Sequence, residues 1–207
     1  MSLAVLRRWG AWLALCLLPA MATAGSMGGA TVGASATAVF AGGCFWCSEA
    51  DFEALPGVMA VEAGYTGGTV PNPTYELVGT GITGHAEAVR VRYDPTRVSY
   101  AQLVEYFWKT IDPTVRDRQF CDRGAEYRSA IFWGNEAERA IAEASRDALA
   151  KSGRFSQIHT QIVAASTFYP AEDYHQDYYK KNPLRYRYYR YACGRDARLQ
   201  AVWGESR

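Results

Sequence analysis

An excess of charge of either sign is the first thing this chain lacks. Its 22 Lys and Arg residues face 21 Asp and Glu, a formal net charge of +1 over 207 residues. That balance gives no electrostatic ground for a nucleic-acid or anionic-membrane partner, and a small neutral substrate fits better. Repeats and low-complexity breaks are absent after the opening stretch, so the length suits one domain with a continuous core. No phosphate-cradling glycine loop and no flavin fingerprint occurs, and no bound cofactor is expected. The apolar run AWLALCLLPAM near the start is shorter than the ~20 residues a membrane-spanning helix needs, and Pro19 lies near its end.

What is there begins with that run. Arg7 and Arg8 precede it and Ala22, Thr23 and Ala24 follow it, the layout of a secretory signal. Cleavage is expected after Ala24. The organisation is then a signal at 1–24, a flexible lead-in rich in Gly, Ala, Ser and Thr at 25–37, and one folded domain at 38–207. A periplasmic or secreted protein is expected, without stable membrane insertion after cleavage. The bulky Leu15 argues against a lipid anchor on Cys16. Of five cysteines, Cys16 leaves with the signal, and Cys44, Cys47, Cys121 and Cys193 enter a compartment where disulfides persist. Two structural bridges are the plain reading. A domain of this size with 49% hydrophobic residues needs no staples, however, and Cys44 and Cys47 are too close to gain much loop-closure entropy. A redox role is favoured.

Residues 37–41, TAVFA, read as a strand closed by Gly42-Gly43, and CFWCSEADFEAL has helical spacing up to Pro56-Gly57. Cys44 then falls at the amino end of a helix, where free N–H groups and the dipole favour a thiolate. Residues 58–65 read as a strand, and GGTVPNPTY as a loop ending with Tyr75 in a brief helical turn. AEAVRVRYD alternates, with Glu87, Val89, Val91 and Tyr93 on one face. A carboxyl among apolar neighbours has its charged form disfavoured and its pKa raised, which suits a general acid. Ser99 and Gln102 form a capping box for a helix ending at Asp112-Pro113, and Asn135 with Glu138 caps a second, to Lys151. Between them lie the loop VRDRQFCDRGAEY and a strand over 128–133. A strand over 158–165 follows, and a helix is expected to start at Pro170 and run to Pro183. The fold class expected is α+β: a compact two-layer α/β sandwich, a mixed sheet with flanking helices in a ferredoxin-like plait, and a long irregular C-terminal tail.

GGCFWCSEADFEALPGV, AGYTGG, NPTYELV, GHAEAV, DRGAEYRSAIF and FYPAEDYHQDYYKKNP together resemble the A-type peptide methionine sulfoxide reductases, over about residues 39–183. Six separated motifs in the family's order make chance agreement implausible. The resemblance implies reduction of the S epimer of methionine sulfoxide, in proteins or free, for repair of oxidised proteins. It makes Cys44 the attacking thiolate and Glu87 the acid that protonates the sulfoxide oxygen. Tyr75 and Tyr127 match two hydroxyls that hydrogen-bond that oxygen, with Asp122 nearby, and Phe45 and Trp46 match the cage for the methyl group. An external thioredoxin-like dithiol is the implied reductant, and a monomer is expected.

A sulfenic acid left on Cys44 would condense with another thiol. Many relatives carry that thiol directly after KNP, where this chain has Leu184-Arg185-Tyr186-Arg187. Cys193, on a glycine-bearing tail able to swing, is the first choice. Cys47 is the second, by its C-x-x-C spacing. Cys121 serves as a relay or is inert. His85 and His175 are read as structural, and the Arg/Tyr alternation over 185–191 as a surface tail with tyrosines on the core. Two rivals stand beside the reductase: a thiol–disulfide oxidoreductase using Cys44 and Cys47 alone, and a zinc site built from Cys44, Cys47, Cys121 and a histidine.

Overall fold

A computed structural model describes residues 35–204. The signal and nearly all of the lead-in lie outside the described residues. Strand β1 (Ala36–Gly42) already takes in the last two residues assigned to the lead-in. Helix α1 (Phe45–Glu53), strand β2 (Val58–Thr66), the short helix α2 (Tyr75–Gly79) and strand β3 (Ala86–Tyr93) follow. Helix α3 (Tyr100–Thr110) starts at the expected capping box: the Ser99 hydroxyl accepts from the Gln102 N–H, and the Gln102 side chain accepts from the Ser99 N–H.

The FCDRG loop folds into a two-stranded hairpin, β4 (Arg118–Gln119) with β5 (Asp122–Arg123), and a single 3-10 turn (Ala125–Tyr127). Strand β6 (Ser129–Trp133), helix α4 (Glu136–Lys151, capped by Asn135), strand β7 (Gln161–Ala164) and strand β8 (Tyr169–Pro170) complete the main sheet. Its order is β7-β6-β1-β3-β2-β8. The inner four strands are all antiparallel, and only β6 with β7 is parallel. This is the plait expected, widened by one strand at each edge.

Alternation along the strands assigns the layers. Phe40, Val89, Val91 and Ile131 share one face with α1 and α3, and Phe40 stacks between Phe52 at 5.0 Å and Phe107 at 5.1 Å. The opposite face carries Ala41, Ala86, Ala88 and Ala130 with Phe132, small enough for Val39 and Phe168 to cover them. Glu87 lies in register with Tyr65 on the helix-covered face, as its alternation with Val89 and Val91 requires.

Two expectations fail after residue 168. No helix starts at Pro170, which instead pairs with Gly64 in β8. Glu172, Gln176 and Asp177 explain why. Glu172 accepts from the Tyr65 hydroxyl, the Gln176 amide clasps the backbone of Ala63, and Asp177 adopts φ 55°, which no right-handed helix tolerates. Helix therefore begins only at α5 (Tyr178–Lys181). The tail, in turn, is not irregular. Pro183 occupies the first turn of α6 (Pro183–Ala192), a position where its missing N–H costs nothing, and α7 (Arg195–Trp203) follows after Gly194 in the left-handed region. The Arg/Tyr alternation is a helical pattern: Tyr186 is buried while Tyr188 and Tyr191 face out, and Leu199 and Trp203 of α7 are buried in the core.

Candidate active site

Gly43 makes the turn that delivers Cys44. Its φ of +80° is left-handed, and a Cβ there would fall 2.5 Å from the Cβ of Gln119. Cys44 is the N-cap of α1, and its carbonyl accepts from the N–H groups of Cys47 at 3.1 Å and Ser48 at 3.3 Å. The neighbouring N–H, that of Phe45, donates to Glu87 Oε2 at 3.0 Å. One helix terminus thus positions the sulfur and binds the carboxyl.

Glu87 is 3% exposed, and burial pushes its pKa up to about 8. Asp122 and Glu126 push the same way, and the Phe45 N–H opposes them. The carboxyl therefore keeps its proton through neutrality, the state a proton donor needs. Cys44 differs from expectation. Helix-terminal placement was to make it a thiolate, but the side chain is only 6% exposed, and burial followed by the hydrogen bond its thiol donates to Cys47 holds its pKa well above the ordinary thiol value. Desolvation outweighs the dipole, and the resting sulfur is a thiol. Cys47, one turn on, moves the other way, to about 7, through its hydrogen bond with Cys44 and the positive charges of Arg195 and Arg190.

The hydroxyls converge from separate elements. Tyr75 opens α2, where its N–H donates to Glu172 Oε1 at 2.9 Å, and Tyr127 closes the 3-10 turn. Their hydroxyls hydrogen-bond one another, and burial raises the pKa of both, that of Tyr75 to about 12. The aromatic wall is equally braced. Trp46 donates from Nε1 to His175 Nδ1 at 3.0 Å and stacks on Tyr178 at 3.7 Å. Burial lowers the pKa of His175, leaving the neutral acceptor this bond requires. His175 therefore has the structural role read from sequence, as has His85, whose Nδ1 accepts from the Gly68 N–H.

These groups enclose a cavity of about 60 Å³ lined by Cys44, Phe45, Trp46, Tyr75, Glu87, Asp122, Tyr127 and Tyr189. All seven residues expected there are present. At about 30 Å³ per water, the space suits a compact head such as a methylsulfinyl group. Tyr189 was missed. It sits in α6, donates to Asp122 Oδ2 at 2.6 Å, and its hydroxyl is in hydrogen-bond contact with the Cys44 sulfur. Only recognition of the tail as a helix, with Tyr189 one turn before Cys193, would have found it.

The sequence model of the peptide methionine sulfoxide reductase family matches residues 36–207, from the first residue of β1 onward. The chain belongs to that family. It is 55% identical over 168 residues to peptide methionine sulfoxide reductase MsrA 2 of Caulobacter vibrioides, covering 81% of this chain and 85% of that protein. It is 52% identical to the MsrA of Halalkalibacterium halodurans over 169 residues, covering 81% of this chain and 96% of that one. Among solved structures, methionine sulfoxide reductase A of Corynebacterium diphtheriae superposes with a TM-score of 0.66 at 39% identity, over 75% of this chain and 78% of that one. The reduced form of Mxr1 from Saccharomyces cerevisiae gives 0.66 at 31%, over 72% and 86%. The protein is thus an oxidoreductase that returns methionine sulfoxide to methionine.

Its four described cysteines fall into two pairs. Cys44 and Cys47 are free and buried side by side, whereas Cys121 and Cys193 are joined in a disulfide. Cys193 is thus the C-cap of a helix with a partner of its own, not the end of a swinging tail. The zinc grouping of Cys44, Cys47 and Cys121 is not assembled. Among the described residues the one cluster with ligand spacing is Cys121, Asp122 and Cys193, and both of its sulfurs are spent in the disulfide.

Proposed function

We propose that Cys44, Glu87, Tyr75, Tyr127 and Asp122 carry out the reduction, with Phe45 and Trp46 caging the substrate methyl group and no bound cofactor taking part. The substrate is the S epimer of methionine sulfoxide, in proteins or free. The observation that carries the reading is the buried Glu87 carboxyl, fixed on the Phe45 N–H beside Cys44 in the 60 Å³ cavity, where burial raises its pKa and favours the proton-bearing form. The sulfoxide oxygen takes its proton from Glu87 while Tyr75 and Tyr127 hydrogen-bond it, which makes the sulfur electrophilic. Cys44 attacks that sulfur as its thiol proton passes to the Glu87 carboxylate, and it takes the oxygen away as a sulfenic acid while the thioether departs as methionine.

Cys47 then resolves the sulfenic acid, expelling water to form a Cys44–Cys47 disulfide. Its place one helical turn away, hydrogen-bonded to Cys44, supports this over Cys193, whose sulfur is engaged with Cys121. A thioredoxin-like dithiol completes the cycle, and the signal layout supports an exported, periplasmic or secreted protein that meets such a donor outside the cytosol.

Reduction of S- and R-epimer sulfoxide peptides with dithiothreitol tests the reading. Turnover of the S epimer alone, abolished in Cys44→Ser, is expected. After one turnover without reductant, mass spectrometry should find the Cys44–Cys47 bond. Insulin reduction without sulfoxide turnover would replace the reading with a thiol–disulfide oxidoreductase. A mature chain in an exported fraction that did not begin at Gly25 would overturn the cleavage assignment.

A further inference from the structure

Met59 is the one methionine among the described residues, and it stands in the open. It is 50% exposed, in an enzyme whose substrate is oxidised methionine. The register of β2 against β3 steps from Val58 opposite Tyr93 to Ala60 opposite Arg92, so Met59 is the extra residue of a β-bulge and has no partner across the ladder. On its other side β2 is an edge at this point, because β8 pairs only with Gly64 and Tyr65. Pro56-Gly57 turns the chain just before it, with Gly57 at φ 99°. A bulged residue on an edge opens locally at less cost than one inside a paired ladder.

Exposure decides what happens at this thioether. An open thioether accepts oxygen from a peroxide, and the sulfoxide that results is polar. In a core that change disrupts packing, but Met59 belongs to none of the buried clusters, so the fold tolerates both forms. The chain's own cavity cannot reach it. Glu87 lies opposite Tyr65, six residues along β2 from Met59, and at ~3.3 Å per residue the separation is about 20 Å, far beyond one side chain. A second copy meets no such limit. The methionine side chain is unbranched and adaptable, its terminal group is the compact head for which the 60 Å³ cavity has room, and a net charge of +1 sets little repulsion between two copies.

We infer that Met59 is an oxidation site of this enzyme that a second copy of the chain restores, so that the reductase is its own protein substrate. This rests on the proposed Cys44 chemistry. Hydrogen peroxide transfers one oxygen atom to the Met59 sulfur and leaves as water, the thioether giving up two electrons. The sulfoxide then enters the cavity of another copy. There Cys44 takes the oxygen as a sulfenic acid, Cys47 expels it as water in forming the disulfide, and an external dithiol reduces that disulfide. Summed over both steps, one hydrogen peroxide and one dithiol become two waters and one disulfide. Only the S epimer re-enters the cycle, so the R epimer accumulates on Met59.

The substrate for the test is chain residues 25–207 carrying Cys44→Ser, which blocks self-repair, and Met27→Leu, which leaves Met59 as its one thioether. After treatment with hydrogen peroxide and its removal, peptide mapping by mass spectrometry should find the sulfoxide at Met59, with the melting temperature shifted by no more than about 2 °C. A trace of wild-type chain with dithiothreitol should then remove the S-epimer share and leave the R share. An S-epimer sulfoxide peptide in the same tube reports wild-type turnover. The oxidised chain should compete with that peptide, and the same chain with Met59→Leu added should not. Peroxide that spares Met59 while oxidising a free methionine peptide, or sulfoxide that persists at Met59 while the peptide is turned over, would overturn the inference and leave the reductase intact. Competition that survives Met59→Leu, or a large fall in melting temperature on oxidation, would overturn it as well, the last because only unfolded chain was then repaired. Turnover of neither chain nor peptide would instead sink the proposed Cys44 chemistry.

Discussion

Replacement of Glu87 by Gln separates what this carboxyl does for chemistry from what it costs the fold. In the folded chain the group holds its proton to about pH 8, against 4.5 for an unperturbed glutamate. The folded state therefore binds more protons than the unfolded state between those two values, and stability falls as pH rises through that window. At 1.36 kcal/mol per pH unit the full difference is roughly 5 kcal/mol, an upper bound because a buried site relaxes around a charge. Glutamine keeps an oxygen for the Phe45 N–H and has nothing to ionise, so Glu87→Gln should melt near the wild type at pH 5 and clearly higher at pH 9. At ~2–4 °C per kcal/mol for a domain of this size, even half the bound gives several degrees. Sulfoxide turnover should fall about 100-fold or more in the same variant, the scale of a lost general acid. Wild-type turnover should itself decline above about pH 8, as the donor deprotonates. Melting curves at the two pH values and S-epimer turnover across the range check both halves. A stability difference that does not change with pH, or a variant that keeps wild-type turnover, would refute the reasoning.

The remaining predictions concern the frame. Tyr189→Phe keeps the ring edge-on to Trp46 but removes the hydroxyl that stabilises the ionised Cys44, so iodoacetamide labelling of Cys44 should shift to higher pH and turnover should drop about 10-fold. Gly43→Ala drives a methyl into Gln119, which brackets Asp112 by bonds of 2.9 and 2.8 Å, and forces a side chain into φ +80°. A loss of about 2–4 kcal/mol in urea unfolding is expected, with weakened activity as Cys44 shifts. Phe40→Ala empties the centre of the Phe52–Phe40–Phe107 stack and should cost about 3–5 kcal/mol by the same measurement.

What the sequence disclosed and what it hid divide along a physical line. Local rules carried the elements from β1 to α4: Ser99 with Gln102 and Asn135 with Glu138 cap their helices through contacts three residues apart, and period-two alternation alone put Glu87 on the buried face. The segment after residue 168 obeys contacts that span the chain. Glu172 is fixed by Tyr65, Gln176 by Ala63 and the Asp177 N–H by Glu49, more than 100 residues away in each case, and these bonds override the helix that AEDYHQDYYKKN favours locally. The charge state of Cys44 was hidden for a related reason. Its helix-terminal position is local and legible, but the burial that reverses the dipole's effect comes from surrounding elements, with Tyr189 of α6 touching the sulfur itself. The same helix delivers Cys193 to Cys121, and no spacing rule links two cysteines 72 residues apart. The residues that complete this site therefore arrive with the C-terminal helices, and Arg190 and Arg195 bring it the positive charge that draws Cys47 toward its thiolate. A truncation before Pro183 should leave the plait and the Glu87–Phe45 bond in place while removing Tyr189, both arginines and the surface disulfide. Such a chain should retain its sheet signature in circular dichroism yet lose most of its sulfoxide turnover, and full activity in it would show that the C-terminal helices are not part of the catalytic apparatus.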